Sequence, residues 1–176
     1  TFKFRHEKGG SVEFNIFYSL VQNYILGRLI PPSEQKPLSM NVLGVKQFYN
    51  VDLATFTGFE LGYSLPDTYK PGLRVSAAYT YATLSEITKQ ILDPTKIPSQ
   101  QVIGEEALSN DAVAEIPPLE ANIVVSYKFF KGKLVPSLSS RIVFDQGHIS
   151  EAFHEKMTPG FVILNLGLFY KYNDMI

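Results

Sequence analysis

Strict alternation of apolar and polar residues, repeated in segment after segment, is the feature that most constrains this chain. A period of two requires strands with two unlike faces. Val12, Phe14, Ile16, Tyr18 and Leu20 share one side of such a strand, opposite Ser11, Glu13, Asn15 and Ser19. The pattern recurs in Phe2, Phe4 and His6 against Lys3, Arg5 and Glu7, and in Tyr49, Val51, Leu53, Phe59, Leu61 and Tyr63 against Asn50, Asp52, Glu60 and Ser64. Leu73, Val75, Ala77, Tyr79 and Tyr81 oppose Arg74, Ser76, Ala78 and Thr80, and Leu119 through Phe129 alternates in the same way. Leu134, Leu138, Ile142 and Phe144 oppose Ser137, Ser139, Arg141 and Asp145, and Val162 through Tyr172 supplies a last apolar row. This predicts seven antiparallel strands and an all-β fold, with no segment of sustained helical period.

The connections sort by length. Gly9-Gly10 reads as a two-residue type I′ turn, since both central positions of that turn need positive φ. Pro66 to Gly72 and Lys131-Gly132-Lys133 are also short. Between them fall three long stretches: Leu26 to Gly44 with Pro31, Pro32 and Pro37, the polar and aperiodic Ile87 to Ile116, and Gly147 to Pro159. In an up-and-down meander, alternate connections lie at the same end. One end is therefore all tight turns and the other all long loops, the asymmetry of outer-membrane barrels.

Strand length and composition agree with that assignment. Most segments reach the ~9–11 residues that a tilted spanning strand needs, and no stretch approaches the ~20 consecutive apolar residues of a spanning helix. Mean hydropathy is +0.00, as expected where only alternate residues meet lipid. Ten Tyr and thirteen Phe include Tyr18, Tyr24, Tyr63, Tyr81, Tyr127, Phe129, Phe144, Tyr170 and Tyr172 near strand ends, where aromatic girdles sit at the membrane interfaces. Sixteen basic and seventeen acidic residues give a net charge of −1. That balance offers no clustered basic surface for nucleic acid. Absence of Cys excludes a disulfide framework and thiolate metal sites. No signal peptide or initiator Met is recognisable at Thr1, and patterning begins at Phe2, so the expectation is an internal fragment or a processed or partly recovered chain.

Several stretches resemble the C-terminal barrel of TonB-dependent receptors. Val12 to Tyr18 through Asn23-Tyr24-Ile25 is similar to the strand these receptors carry before a long outer loop. Phe48 to Ala54 leading to Gly58-Phe59-Glu60 resembles their "N-x-x-x-A…G-x-E" strand, and Ile116-Pro117-Pro118 their "IPP" lead-in. Most specific is Arg141 to Gln146, followed by Ile149-Ser150, Phe153, Glu155, Thr158-Pro159-Gly160-Phe161 and Leu164-Asn165-Leu166. This resembles the family's "R…Q…F-x-E…TPG-[FY]…LNL" run. The resemblance implies a barrel of about 22 strands with an N-terminal plug, located in the bacterial outer membrane. It implies import of a siderophore, haem, vitamin or glycan-type ligand, driven by TonB. Residues 1–176 would then be about seven strands of that wall, with the plug and final strands lying outside the sequence. Implied partners are the remaining strands, the plug, the TonB complex, outer-membrane lipid and lipopolysaccharide, and a surface lipoprotein.

Candidate site residues are Glu60, Arg74, Arg141 and Asp145, all expected on the non-lipid face. They serve either as a cross-strand ion-pair network or as contacts to a plug. Loops Leu26 to Gly44 and Ile87 to Ile116 are the best placed for ligand or partner contact. His148 and His154 share a loop with Glu151 and Glu155, but their spacing matches no metal-ligand motif and solvated loop positions are expected. No G-x-S-x-G, P-loop or G-x-G-x-x-G occurs, and Glu105-Glu106 lacks a supporting base. No catalysis and no cofactor are therefore expected. Two other readings use the same alternation: a small structural or adhesive outer-membrane barrel, and a soluble lipocalin-like binding domain whose apolar face is its core.

Overall fold

The computed structural model describes residues 1–30, 45–93, 95 and 102–172. They form one antiparallel sheet of eight strands: β1 (Phe2–His6), β2 (Gly10–Ile30), β3 (Val45–Ser64), β4 (Pro71–Leu92), β5 (Val102–Ala112), β6 (Glu120–Tyr127), β7 (Leu134–Val143) and β8 (Phe161–Tyr170). Seven of them run in the order β1-β2-β3-β4-β6-β7-β8, and β5 pairs with β4 off that path. The main path is the seven-strand meander expected from alternation. β5 is additional, and it lies inside the stretch expected to be an aperiodic loop.

The register brings the alternating sets into two continuous faces. Phe14 lies opposite Leu61, Leu61 opposite Ala77, Ala77 opposite Ala121, and Ala121 opposite Ile142. Val12, Tyr63, Val75 and Ile123 form a parallel row. The other face carries Glu13, Gly62, Ser76 and Asn122 in one row and Asn15, Glu60, Ala78 and Glu120 in the next. The apolar face is uncovered: Ile16 is 65% exposed, Leu164 67% and Leu166 88%. Soluble monomers rarely expose contiguous apolar patches of such extent, and β-branched and aromatic residues here meet no second layer.

The tight-turn end differs in detail from expectation. His6 pairs with Gly10, so the first turn is Glu7–Gly9, one residue longer than a type I′ turn, and Gly10 takes the positive φ of 91°. A side chain at Gly10 would run into the backbone of Ser64 at the end of β3. At the β6–β7 turn three consecutive residues, Phe130 (φ 50°), Lys131 (φ 56°, ψ 31°) and Gly132 (φ 88°), are left-handed, with Gly132 N–H donating to Phe129 O at 2.9 Å and Lys133 N–H to Phe130 O at 3.2 Å. The turns are tied to each other: Tyr63 donates to Gly9 O at 3.1 Å, Tyr69 to Lys8 O at 3.0 Å, and the Lys128 ammonium to Asp67 O.

At the opposite end the strands run on past the apolar band. On β4 the outward row ends at Tyr81, yet the strand continues to Leu92. β4 pairs with β6 only up to Ala78–Glu120 and with β5 only from Thr83–Ala112 upward. Residues 113–119 swing away between, and Val113 donates to Ala82 O at 3.1 Å. Two asparagines mark where the projecting hairpins begin. Asn23 (φ 53°) and Asn110 (φ 58°) are left-handed, and the ladders skip the pairs 23/52 and 85/110. Asn tolerates this conformation better than other non-glycine residues. Each skip reverses which parity faces inward. Val51 and Ala54, and likewise Leu84 and Ile87, stand three apart yet enter the same buried cluster.

That phase break explains why Ile87 to Ile116 looked aperiodic: two alternating strands meet it out of step. Replacing Asn110 by Val, a β-branched residue with no left-handed preference, is expected to cost ~1–2 kcal/mol locally. Asn110→Gly should be nearly neutral. Hydrogen exchange of the β4–β5 amides distinguishes the two.

Candidate functional site

Two surfaces carry the chemistry, the polar face of the wall and the packed crown above it. On the wall, Arg141 on β7 sits diagonally across from Glu120 on β6, since Asn122 is its direct partner. Arg141 donates from Nε at 2.8 Å and from a terminal nitrogen at 2.7 Å to the two oxygens of Glu120, a bidentate fork. Asn122 adds a bond of 3.2 Å to the same carboxylate. Lys3 and Glu13, directly opposed on β1 and β2, pair at 2.6 Å. Both pairs are solvent-accessible, so they fix side-chain geometry more than they stabilise the fold.

Of the expected site residues, Glu60 and Arg141 both stand on this polar wall, on β3 and β7 with two strands between them. Glu60 lines an open groove of ≈ 480 Å³ with Ser76, Thr80, Pro117, Pro118, Glu120 and Asn122, and receives a 3.4 Å bond from Asn15. Arg74 lines the adjoining groove with Ser11, Glu13, Ser64 and Asn122, and among the described residues no ion pair to it is seen. Asp145 is not on the wall: β7 ends at Val143, and Asp145 is exposed in the connection beyond it. Alternation extrapolated past the strand end put it there. Glu120, the carboxylate that engages Arg141, was legible only as another polar-face residue, because the diagonal partner depends on register.

The crown is built around two carboxylates. Asp111, on β5, is 8% exposed. It accepts from Ser150 Oγ at 2.6 Å and from the backbone N–H groups of Glu151 and Ala152 at 2.9 and 3.1 Å. Glu155 accepts from Glu115 N at 3.0 Å, Ser150 N at 2.9 Å and Gln146 Nε2 at 3.2 Å. Gln146 also donates to Ile116 O at 3.0 Å, and its own N–H donates to Thr158 O. Ala152 and Phe153 pack on the cluster of Val51, Ala54, Ala82, Leu84, Ile87 and Val113.

The connection between β7 and β8 is therefore folded: Glu151 and His154 are exposed, as expected of loop positions, whereas His148 and Glu155 are half-buried. His148 stacks on Tyr81 with ring centroids 4.2 Å apart and donates from Nε2 to Ala82 O at 3.1 Å. His154 donates from Nε2 to Gln90 O at 3.0 Å. Both nitrogens point at carbonyls, which only accept, so each carries the proton there. Among the described residues no cluster of three or more His, Asp or Glu has the geometry to hold a metal. Of the two loops favoured for ligand contact, residues 31–44, 94 and 96–101 lie outside the described residues. At the tip of β4, Thr95 donates to Asp93 from its hydroxyl at 2.7 Å and its N–H at 2.9 Å, which lowers the pKa of that carboxyl.

Comparison with known proteins settles the family. The model of the TonB dependent receptor-like β-barrel matches residues 1–175. The chain belongs to the TonB-dependent receptor β-barrel family. Among solved structures it is similar to the copper transporter OprC, with a TM-score of 0.70 and 20% identity over 98% of this chain. That match spans 22% of the OprC chain, and at this identity it carries the fold alone. No sequence among curated proteins matches.

In this TonB-dependent receptor barrel the late sequence run has a structural meaning. Gln146, Glu155 and Phe153 hold the crown, and Gly160 lets β8 start against β7. A Cβ at Gly160 would stand 2.6 Å from Val143 O and 2.9 Å from Asp145 N, both backbone atoms that cannot swing aside. Gly160→Ala is expected to destabilise this junction by ~1–3 kcal/mol, read as earlier loss of the β7–β8 amides in hydrogen exchange.

Proposed function

We propose that this chain supplies wall strands and outer hairpins of an active importer in the bacterial outer membrane. The observation that carries the reading is the pair of unlike faces. A continuous uncovered apolar face backs a polar one, with tight turns at one end and projecting hairpins at the other, in a chain of this receptor family. On this reading the apolar face meets lipid and the polar face lines the lumen, where charges such as Glu60, Arg74 and Arg141 stay hydrated.

β1 and β8 are both edges of the sheet. Unpaired edges are not tolerated in hydrocarbon, which supports further wall strands, and with them a plug, from the same receptor. Energy would come from TonB, and the crown and hairpin tips would meet the ligand, of the siderophore, haem, vitamin or glycan type, or copper as in OprC. Glu60 and Arg74 are the wall positions best placed to face a plug, and Asp145 belongs with the outer surface. Lipopolysaccharide at the outer rim and a surface lipoprotein over the hairpins complete the proposed partners.

The test is extraction and transport in parallel. The full-length receptor should fractionate with outer membrane, require detergent, and migrate differently on a gel before and after heating. Uptake of its ligand should vanish in cells lacking TonB. Recovery of residues 1–176 as a soluble, monodisperse domain would sink this reading and favour the lipocalin-like one.

A further inference from the structure

The crown contains a feature that wall building does not require. The β4–β5 hairpin rises beyond the wall and joins it through β4 itself, through residues 113–119, where β5 breaks from β6, and through the apolar cluster that Leu84 and Ile87 share with Val51 and Ala54 of β3. The far half of the hairpin, from the Lys89–Glu106 pair to the Leu92–Val102 pair, continues past the residues of that cluster. The β7–β8 connection, both of whose ends emerge from wall strands, crosses to this hairpin and is fastened to it at several points. Asp111 takes three hydrogen bonds from residues 150–152. Lys89 pairs with Glu151 at 3.1 Å, and His154 reaches Gln90 O. Its other anchors lie at the break: Glu155 on Glu115 N, Gln146 on Ile116 O and His148 on Ala82 O.

We infer that the β7–β8 connection is a releasable strap, fastened chiefly at Asp111, that holds the β4–β5 hairpin as one rigid body with the wall. Two features single out Asp111. It is buried together with Ser150, which is fully inaccessible, so water does not readily replace the lost partners. It is also a charged acceptor of three donors, and hydrogen bonds to ionised groups are the stronger class. The hairpin's own ladder, from Thr83–Ala112 to Leu92–Val102, does not involve the strap. Release therefore leaves the hairpin paired, with the apolar cluster around Leu84 as its remaining tie to β3.

The test uses the full-length receptor in lipid nanodiscs. Asp111→Asn keeps size and one acceptor oxygen but removes the charge. Hydrogen exchange at the amides of Glu151 and Ala152 should quicken about tenfold or more, with β6–β8 unchanged. This segment has no Cys, so nitroxide labels can be placed at Glu106 on the hairpin and Lys131 at the far turn. Their distance distribution should be narrow in the parent and broad in Asp111→Asn, and broader with Glu155→Gln added. Unchanged exchange at 151 and 152 overturns the assignment to Asp111. Faster exchange with an unchanged distance distribution overturns the strap. Broadening that also appears between labels at Lys3 on β1 and Lys131 at the β6–β7 turn, neither of them in the crown, shows general loosening and overturns it too.

Discussion

Ile16→Arg is expected to destabilise the folded, membrane-inserted receptor by ~2–4 kcal/mol, the cost of Arg near the bilayer midplane on a lipid-facing barrel position. Ile16 is the central residue of the row Val12, Phe14, Ile16, Tyr18 and Leu20, is 65% exposed, and pairs with Phe59. Asn15→Arg, one residue away on the opposite face beside Glu60, should be close to neutral. Reversible folding of the full-length receptor into phospholipid vesicles, followed against denaturant, measures both. Similar costs for the two variants would remove the assignment of faces. The contrast matters more than either value, because both variants place the same Arg at adjacent positions of one strand, on opposite faces.

Leu84→Ala should cost ~2–5 kcal/mol, as a fully buried leucine does when its cavity cannot collapse. Leu84 is 0% exposed, pairs with Ala54 on β3 and with Asp111 on β5, and lies at the centre of the crown cluster. Its effect should be local. Exchange protection should fall in the β4–β5 hairpin and at residues 150–155, while the β6–β8 ladder keeps its rates. Loss spread evenly over all strands would mean that crown and wall unfold as one unit. The crown is a small packed core set above the two-faced sheet, with alanines at Ala54 and Ala82 allowing close approach and Phe153 packed against it.

Wall-face charge should act differently again. Arg141→Lys keeps the positive charge but loses the two-pronged contact to Glu120. It is expected to leave the fold intact and to weaken that contact in a salt-dependent way. An exposed pair of this kind is a local orienting device.

The wall was legible in the sequence because its physics is one-dimensional. When one face meets an apolar medium and the other water, every second residue is constrained, and a slip of one residue would exchange the faces. Val12 to Leu20, Leu73 to Tyr81 and Val162 to Tyr170 announce themselves for that reason. The order of tight turns and long connections then dictated the meander, and Arg141 through Leu166 indicated the family.

The crown was not legible, because it depends on contacts between segments far apart in the chain. Asn23 and Asn110 reverse the phase of alternation, so a period count finds only a break where the strands in fact continue. β5 therefore read as loop. Asp111 meets Ser150 across 39 residues, and Glu120 meets Arg141 on a diagonal that only strand register sets. The alternation determined by itself that this chain is a two-faced antiparallel wall, since burial on a sheet follows from local parity. Tertiary structure alone decided how the outer segments fold back over it, since a buried carboxylate is satisfied only by donors that the fold brings to it.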